Sequence, residues 1–264
     1  MPSRRSVLSL AGSALVPRSH AAPLSEPQGF ARFFQESGMT GTFACRSGDS
    51  SQVQVYNAAR AGTRLAPAST FKVAHTIIGL EVGAVRDLDE VVPYGGKKQP
   101  FPQWEHDMSL REAFRLSAVP IYQTLARRIG GERMTRWLQT FPFGNGRTGD
   151  AIDRFWLDGP LAISALEQVE FVRGLAMRTL PTKERCMSAV EELMLQESTD
   201  SYALYAKTGW LFDKDPQLGW MVGFVRSTTG PHCFALNIDM AGPQDTAKRG
   251  MLARQCLRAL GALQ

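Results

Sequence analysis

The sequence predicts a protein of the mixed α/β class in an α+β arrangement: an antiparallel β-sheet flanked by terminal helices, with a mostly helical lobe beside it. Three observations predict it. Short apolar runs of strand type occur near both ends of the chain. The stretch between them carries helical periodicity, and turn-rich segments separate the late strands as they do between antiparallel neighbours. At 264 residues, 44% hydrophobic and 21% charged, the chain has enough apolar side chains for a sizeable core.

Taken in order, residues 1–22 read as an export signal: Arg4 and Arg5, an apolar run over 7–16, then Ser19-His20-Ala21-Ala22 with small residues at a cleavage point. Ser3-Arg4-Arg5-Ser6-Val7-Leu8 fits a twin-arginine pattern as well as a general secretory signal that carries two arginines. An exported, periplasmic protein with no membrane anchor after signal cleavage is expected, with one domain over 23–264. Strands over 41–45 and 52–56 flank Ser47-Gly48-Asp49-Ser50 and form a hairpin. Pro67-Ala68 leads into a helix that begins at Ser69. Helical patterns dominate 85–195, with Ser109/Glu112 and Ser164/Glu167 as capping boxes for helices over 110–116 and 165–177. Strands follow over 202–207, 218–225 and 233–240, separated by Asp213-Lys214-Asp215-Pro216 and Ser227-Thr228-Thr229-Gly230-Pro231. An amphipathic helix over 245–263 closes the chain. The sheet draws on both chain ends, so the two lobes are not expected to fold separately.

The net charge of +5 and isoelectric point near 9.2 do not point to nucleic acid, because the arginines are dispersed and form no basic stripe with aromatics. A solvated basic surface attracts an anionic carboxylate substrate instead. His75, His106 and His232 share no ligand spacing with each other or with a cysteine, so no metal site is expected. Each reads as a surface or satisfied core histidine. Cys45, Cys186, Cys233 and Cys256 are scattered; Cys233 and Cys256 read as packed thiols.

The chemistry-bearing motif is Ser69-Thr70-Phe71-Lys72, which puts a hydroxyl and an amine on one helical face. A serine is a weak nucleophile until a neighbour takes its proton, and a lysine does so only when held neutral. Phe71, Val73, Ala74, Ile77 and Ile78 supply apolar surroundings that disfavour the ammonium form. The spacing alone is weak, with about half an occurrence expected by chance. It becomes specific when Ser117-Ala118-Val119 and then Lys207-Thr208-Gly209-Trp210 follow in order. This is the pattern of serine acyl-transfer enzymes that open β-lactam rings or trim peptidoglycan peptides. Ser117 offers a second hydroxyl for proton relay, Lys207 and Thr208 a cation and a hydroxyl for a substrate carboxylate. Gly209 lets substrate lie against the strand edge.

These motifs, with Pro67-Ala68, Gln99-Pro100-Phe101-Pro102, Tyr122-Gln123, Phe143-Gly144-Asn145, Phe155-Trp156-Leu157, Gly159-Pro160-Leu161-Ala162-Ile163-Ser164 and Gly219-Trp220-Met221-Val222-Gly223-Phe224-Val225, make the chain resemble the class D (oxacillinase-type) serine β-lactamases over most of its mature length. One departure is plain: Phe143 stands where that family has tyrosine.

The resemblance implies the same two-part fold and a small-molecule β-lactam as substrate. It implies Ser69 as the nucleophile, with the backbone N–H groups of Ser69 and Trp210 as oxyanion hole. Lys72 is implied as a base carboxylated by carbon dioxide, with no other cofactor, in a pocket of Phe71, Val119, Trp156 and Leu157. Ser117 relays a proton supported by Lys207; Thr208 and Arg249 hold the substrate carboxylate, and Arg254 and Arg258 are helical alternatives to Arg249. Trp104 lines the pocket mouth, and Asn145 shapes a loop. A penicillin-binding DD-peptidase shares the Ser-x-x-Lys and Lys-Thr-Gly chemistry, but has Ser-x-Asn where this chain has Ser117-Ala118-Val119. A β-lactam sensor domain is the non-catalytic alternative, and Val119, usually polar in sensors, favours turnover. Either a monomer or a homodimer is compatible.

Overall fold

The computed structural model describes residues 22–264, so the expected export signal lies, up to residue 21, outside the described residues. The first strand β1 (Leu24–Ser25) and helix α1 (Phe30–Ser37) precede a hairpin of β2 (Gly41–Ser47) and β3 (Val53–Tyr56). A short helix α2 (Ala58–Gly62) follows, then a 3₁₀ turn (Ala68–Phe71) that runs into α3 (Lys72–Glu81). The helical lobe holds β4 (Val91–Val92), β5 (Met108–Ser109), α4 (Leu110–Leu116), α5 (Val119–Ile129) and α6 (Gly131–Thr140). After α7 (Ala165–Ala176) and α8 (Glu184–Met194) come β6 (Leu195–Ser198), β7 (Tyr202–Leu211), β8 (Gln217–Ser227), β9 (Gly230–Met240) and the closing α9 (Thr246–Ala259).

The seven-stranded sheet has the order β1-β3-β2-β9-β8-β7-β6. Its centre joins the two ends of the chain: β2 runs antiparallel to β9, from Gly41 opposite Ile238 to Ser47 opposite His232. Period-two side chains put apolar residues on both faces, and each face is covered. Phe30 and Phe34 of α1 and Leu252 and Leu257 of α9 pack against Phe43, Phe234 and Leu236. On the other face Val73 and Ile77 of α3, Ile121 of α5 and Val169 and Phe171 of α7 share a core with Val222 and Ala235. Each such side chain contributes about 1.5–3 kcal/mol when fully buried.

The expected elements are present, with differences that have local causes. β7, β8 and β9 are longer than the expected strands: β7 pairs on through Gly209 and Trp210, which break the apolar alternation, and β8 and β9 pair into the turn segment as far as Ser227 opposite Gly230. Two-residue strands such as β1, β4 and β5 carry no readable period. The Ser164/Glu167 capping box is complete. At Ser109 only half forms: its hydroxyl accepts from the Glu112 N–H at 3.3 Å, while the Glu112 carboxylate meets His106 at 3.2 Å. Ser69 lies in the 3₁₀ turn, and the α-helix proper starts at Lys72.

Candidate active site

The Ser69 turn is held from two sides. Ala68 takes a left-handed backbone (φ 50°) and donates its N–H to the Trp156 carbonyl at 3.0 Å. That conformation costs an alanine about 1–2 kcal/mol, and complete burial of the residue keeps it in place. From behind, Gln168 Nε2 of α7 donates to Thr70 Oγ1 at 2.8 Å, and that hydroxyl donates to the Pro67 carbonyl at 2.7 Å. Ser69 is left 7% exposed at the base of a cleft of about 460 Å³. Lys72 is fully buried; its Nζ lies 3.0 Å from Ser69 Oγ and 4.8 Å from the centroid of the Tyr122 ring. Burial, and secondarily the charge of Lys207, hold this amine well below the ordinary lysine pKa. A neutral amine at this distance can accept the serine proton.

Ser117 terminates α4 in a left-handed conformation (φ 55°), which turns its hydroxyl toward β7. Lys207 Nζ donates to that hydroxyl and, at 2.9 Å, to the Thr208 carbonyl. Burial and the nearby Arg249 push Lys207 down to about 7. β6 pairs with β7 only over Ala203 to Tyr205, so among the described residues the edge of β7 opposite β8 carries no strand from Lys207 to Leu211. The Ser69 turn packs there instead, and Gly209 makes the approach possible: a Cβ at this position meets the Pro67 carbonyl at 3.1 Å and Thr70 Cγ2 at 3.2 Å. Arg249 donates through Nε to the Thr246 carbonyl at 2.9 Å and through Nη1 to the Gly209 carbonyl at 2.7 Å. Burial lowers it to about 10, so it stays cationic at neutral pH. Arg249 lines the cleft, whereas Arg254 is held by Glu197 at 2.6 Å and neither Arg254 nor Arg258 lines it.

The residues expected around Lys72 come from three segments. Phe71 and Trp156 are buried with ring centroids 5.8 Å apart, while Val119 and Leu157 form part of the cleft wall. The Trp156 Nε1–H is buried without a partner. Phe143, the residue that departs from the family tyrosine, is buried between the rings of Phe71 (5.4 Å) and Phe171 (4.9 Å). Asn145 ties its loop together, donating to the Pro160 carbonyl at 2.8 Å and accepting from the Ala162 N–H at 3.1 Å. Trp104 is anchored through its indole N–H to the Leu116 carbonyl at 3.0 Å and presents its ring to the cleft. Thr208 and Trp210 line the cleft as well.

Sequence reasoning missed part of the site. Phe101 and Phe212 (centroids 5.5 Å apart) build an aromatic mouth, and Arg115 and Arg154 add positive charge to the walls. Phe101 stood in a quoted motif but carries no chemistry of its own; Arg115 and Arg154 look like surface residues in any linear reading. One expectation needs correction. His75 is neither a surface nor a satisfied core histidine: it is fully buried with both ring nitrogens unpartnered, because aromatic rings surround it. His232 is satisfied by Ser47 and Thr229 at 2.8 and 2.9 Å, and His106 is exposed. All four cysteines are buried free thiols.

Together these groups form a serine beside a buried amine, a second hydroxyl–amine pair across the cleft, and a cationic end. The penicillin-binding protein transpeptidase domain family matches residues 34–258. β-lactamase OXA-5 of Pseudomonas aeruginosa is 35% identical over 243 residues, covering 91% of each chain. The probable β-lactamase YbxI of Bacillus subtilis (strain 168) is 45% identical over 202 residues, covering 76% of this chain and 75% of that one. Among solved structures, the class D β-lactamase FUS-1 (OXA-85) of Fusobacterium nucleatum subsp. polymorphum superimposes with a TM-score of 0.87 at 36% identity, covering 91% of this chain and 100% of that one.

Proposed function

The chain belongs to the class D β-lactamases, which hydrolyse the β-lactam ring, and on that footing we propose that it acts through an acyl-enzyme on Ser69 with a carboxylated Lys72 as general base. The observations that carry this reading are the buried Lys72 amine 3.0 Å from Ser69 Oγ and the unpartnered indole N–H of Trp156, whose ring packs on the neighbouring Phe71. A carboxylate on Nζ gives that orphaned donor an acceptor, and Trp156 and Ser69 are the residues that would hold it. Bound there, it supplies a base for the Ser69 proton and for the proton of the deacylating water.

Ser69 Oγ attacks the lactam carbonyl, whose oxygen gains negative charge between the backbone N–H groups of Ser69 and Trp210. One such donor is worth about 3 kcal/mol in the transition state. Ser117, held by Lys207, passes a proton to the leaving lactam nitrogen. A Lys207 whose pKa lies near 7 exchanges that proton readily at neutral pH, because donor and acceptor forms are both populated. Thr208 and the cationic Arg249 hold the substrate carboxylate, and Trp104 closes the mouth. An enzyme of this kind confers antibiotic resistance. The export-type pattern of residues 1–22 supports the reading of an exported, periplasmic enzyme.

The test combines intact mass and carbon-13 NMR. A β-lactam should add its mass to the wild type, transiently, and not to Ser69→Ala; labelled bicarbonate should produce a carbamate resonance that Lys72→Ala lacks. Stoichiometric acylation without turnover, or full activity with no carbamate resonance, overturns the mechanism.

A further inference from the structure

His75 follows Lys72 by three residues on α3, so both side chains leave the same face of the helix. Its ring touches Phe71, Tyr122 and Trp156, with centroids 5.2, 5.3 and 5.2 Å away. Lys72 Nζ stands over the same Tyr122 ring at 4.8 Å. Neither His75 nitrogen has a partner, and neither does Trp156 Nε1. Buried polar atoms are overwhelmingly paired in folded proteins, and each exception needs a reason. Here three such atoms sit on two adjacent rings, and the His75 ring shares the Tyr122 ring with the Lys72 amine. They mark a single polar spot in an otherwise aromatic pocket.

The chemistry of the spot can be read from its donors. Burial, and then the charge of Lys72, keep His75 well below its ordinary pKa, so its ring is neutral and carries one N–H. The unpartnered groups of the spot are therefore two N–H donors, one indole and one imidazole, and one imidazole acceptor nitrogen, while the side-chain acceptor bonded to the Lys72 amine is Ser69 Oγ. Neither N–H donor has an acceptor. A carboxylate attached to Nζ brings two acceptor oxygens with about four lone-pair sites.

We propose that His75 is a positioning residue for the carboxylated Lys72, its ring N–H holding one oxygen of the Nζ-carboxylate while the Trp156 indole N–H holds the other. The inference rests on the carboxylated-lysine reading above. The modification itself balances as follows: the neutral amine attacks the carbon of dissolved carbon dioxide, an N–C bond forms, one C=O electron pair moves onto oxygen, and the surplus N–H proton leaves to water. His75 takes no part in that transfer; it stabilises the product and fixes the plane of the carboxylate toward Ser69.

The experiment titrates the purified protein, with nitrogen-15 in its histidines, with carbon-13 bicarbonate at fixed pH and follows both nuclei. In the wild type the His75 N–H resonance should move in step with growth of the carbamate signal. His75→Phe, which suits the aromatic surroundings, should need about tenfold or more bicarbonate for half occupancy. His75→Asn, which restores an N–H donor, should recover part of the loss. A His75 resonance that does not move while the carbamate forms overturns the proposal even if His75→Phe fails to fold, and unchanged occupancy in a folded His75→Phe overturns it too. If the wild type forms no carbamate at saturating bicarbonate, the reading of Lys72 itself falls, and this inference with it.

Discussion

Removing the Arg249 side chain tests the carboxylate end of the site most directly. The guanidinium spends Nε on the Thr246 carbonyl at 2.9 Å and Nη1 on the Gly209 carbonyl at 2.7 Å. Nη2 makes no hydrogen bond among the described residues, and the side chain faces the cleft. A charge-assisted hydrogen bond from it to a substrate carboxylate contributes about 1.5–3 kcal/mol, so Arg249→Ala should lower kcat/KM by about ten- to 150-fold, mostly through KM. The loss has a second signature. Arg249 is one of the two causes that push Lys207 down to about 7, so the Lys207 pKa should rise in the variant. Steady-state kinetics on a penicillin and on its methyl ester separate the charge contact from general damage. Esterification should weaken the wild type strongly and Arg249→Ala hardly at all, as a double-mutant cycle requires of a direct pair. Titration of the Lys207 ε-carbon resonance reads the second signature. If kcat/KM stays within about twofold of wild type, or if free acid and ester suffer equally from the substitution, Arg249 does not bind the carboxylate. Arg254→Ala is the control, since Arg254 is occupied by Glu197.

Trp156→Phe keeps an aromatic ring and deletes the orphaned N–H; bicarbonate should raise the Tm of the wild type more than that of the variant, as linkage requires if the indole holds the carboxylate, and equal shifts in a thermal melt contradict this. Gly209→Ala forces a Cβ toward the Pro67 carbonyl (3.1 Å) and Thr70 Cγ2 (3.2 Å), so the Ser69 turn should shift and kcat fall by about tenfold or more while circular dichroism stays native. Ser164→Ala removes the side chain of a complete capping box and should cost about 1 kcal/mol in urea unfolding. Stability should rise between pH 7 and roughly 8.5, because Lys207 in the fold titrates near 7, and the unfolded chain, whose lysine keeps its ordinary higher pKa, binds more protons there. Above about 9 the trend should reverse, since burial raises Cys233 and Cys256 to about 12 and the unfolded thiols ionise first; urea midpoints across that range are the measurement. Activity should fall with acidification, because protonated Lys72 can neither accept a proton nor react with carbon dioxide, and added bicarbonate should restore part of it.

What the sequence alone determined is local or ordered. Ser69 and Lys72 share a face because they stand three positions apart on a helical turn, and that holds wherever the turn sits. The Ser164/Glu167 capping box and the turn between 227 and 231 are likewise written within a few residues of chain. The order of Ser69, Ser117 and Lys207 motifs identified the chemistry, but not that the last two meet across 90 residues of chain. Only the tertiary structure decided that the early hairpin docks on β9, that Gly209 admits the Ser69 turn rather than only a substrate, and that Arg249 and not Arg254 reaches the cleft. It also decided the burial that lowers the Lys72 pKa and the isolation of the Trp156 and His75 nitrogens. The reason is physical: desolvation, and the presence or absence of a hydrogen-bond partner, are properties of everything that surrounds an atom. Those surroundings are assembled from Phe71, Tyr122 and Trp156, segments that no local pattern brings together.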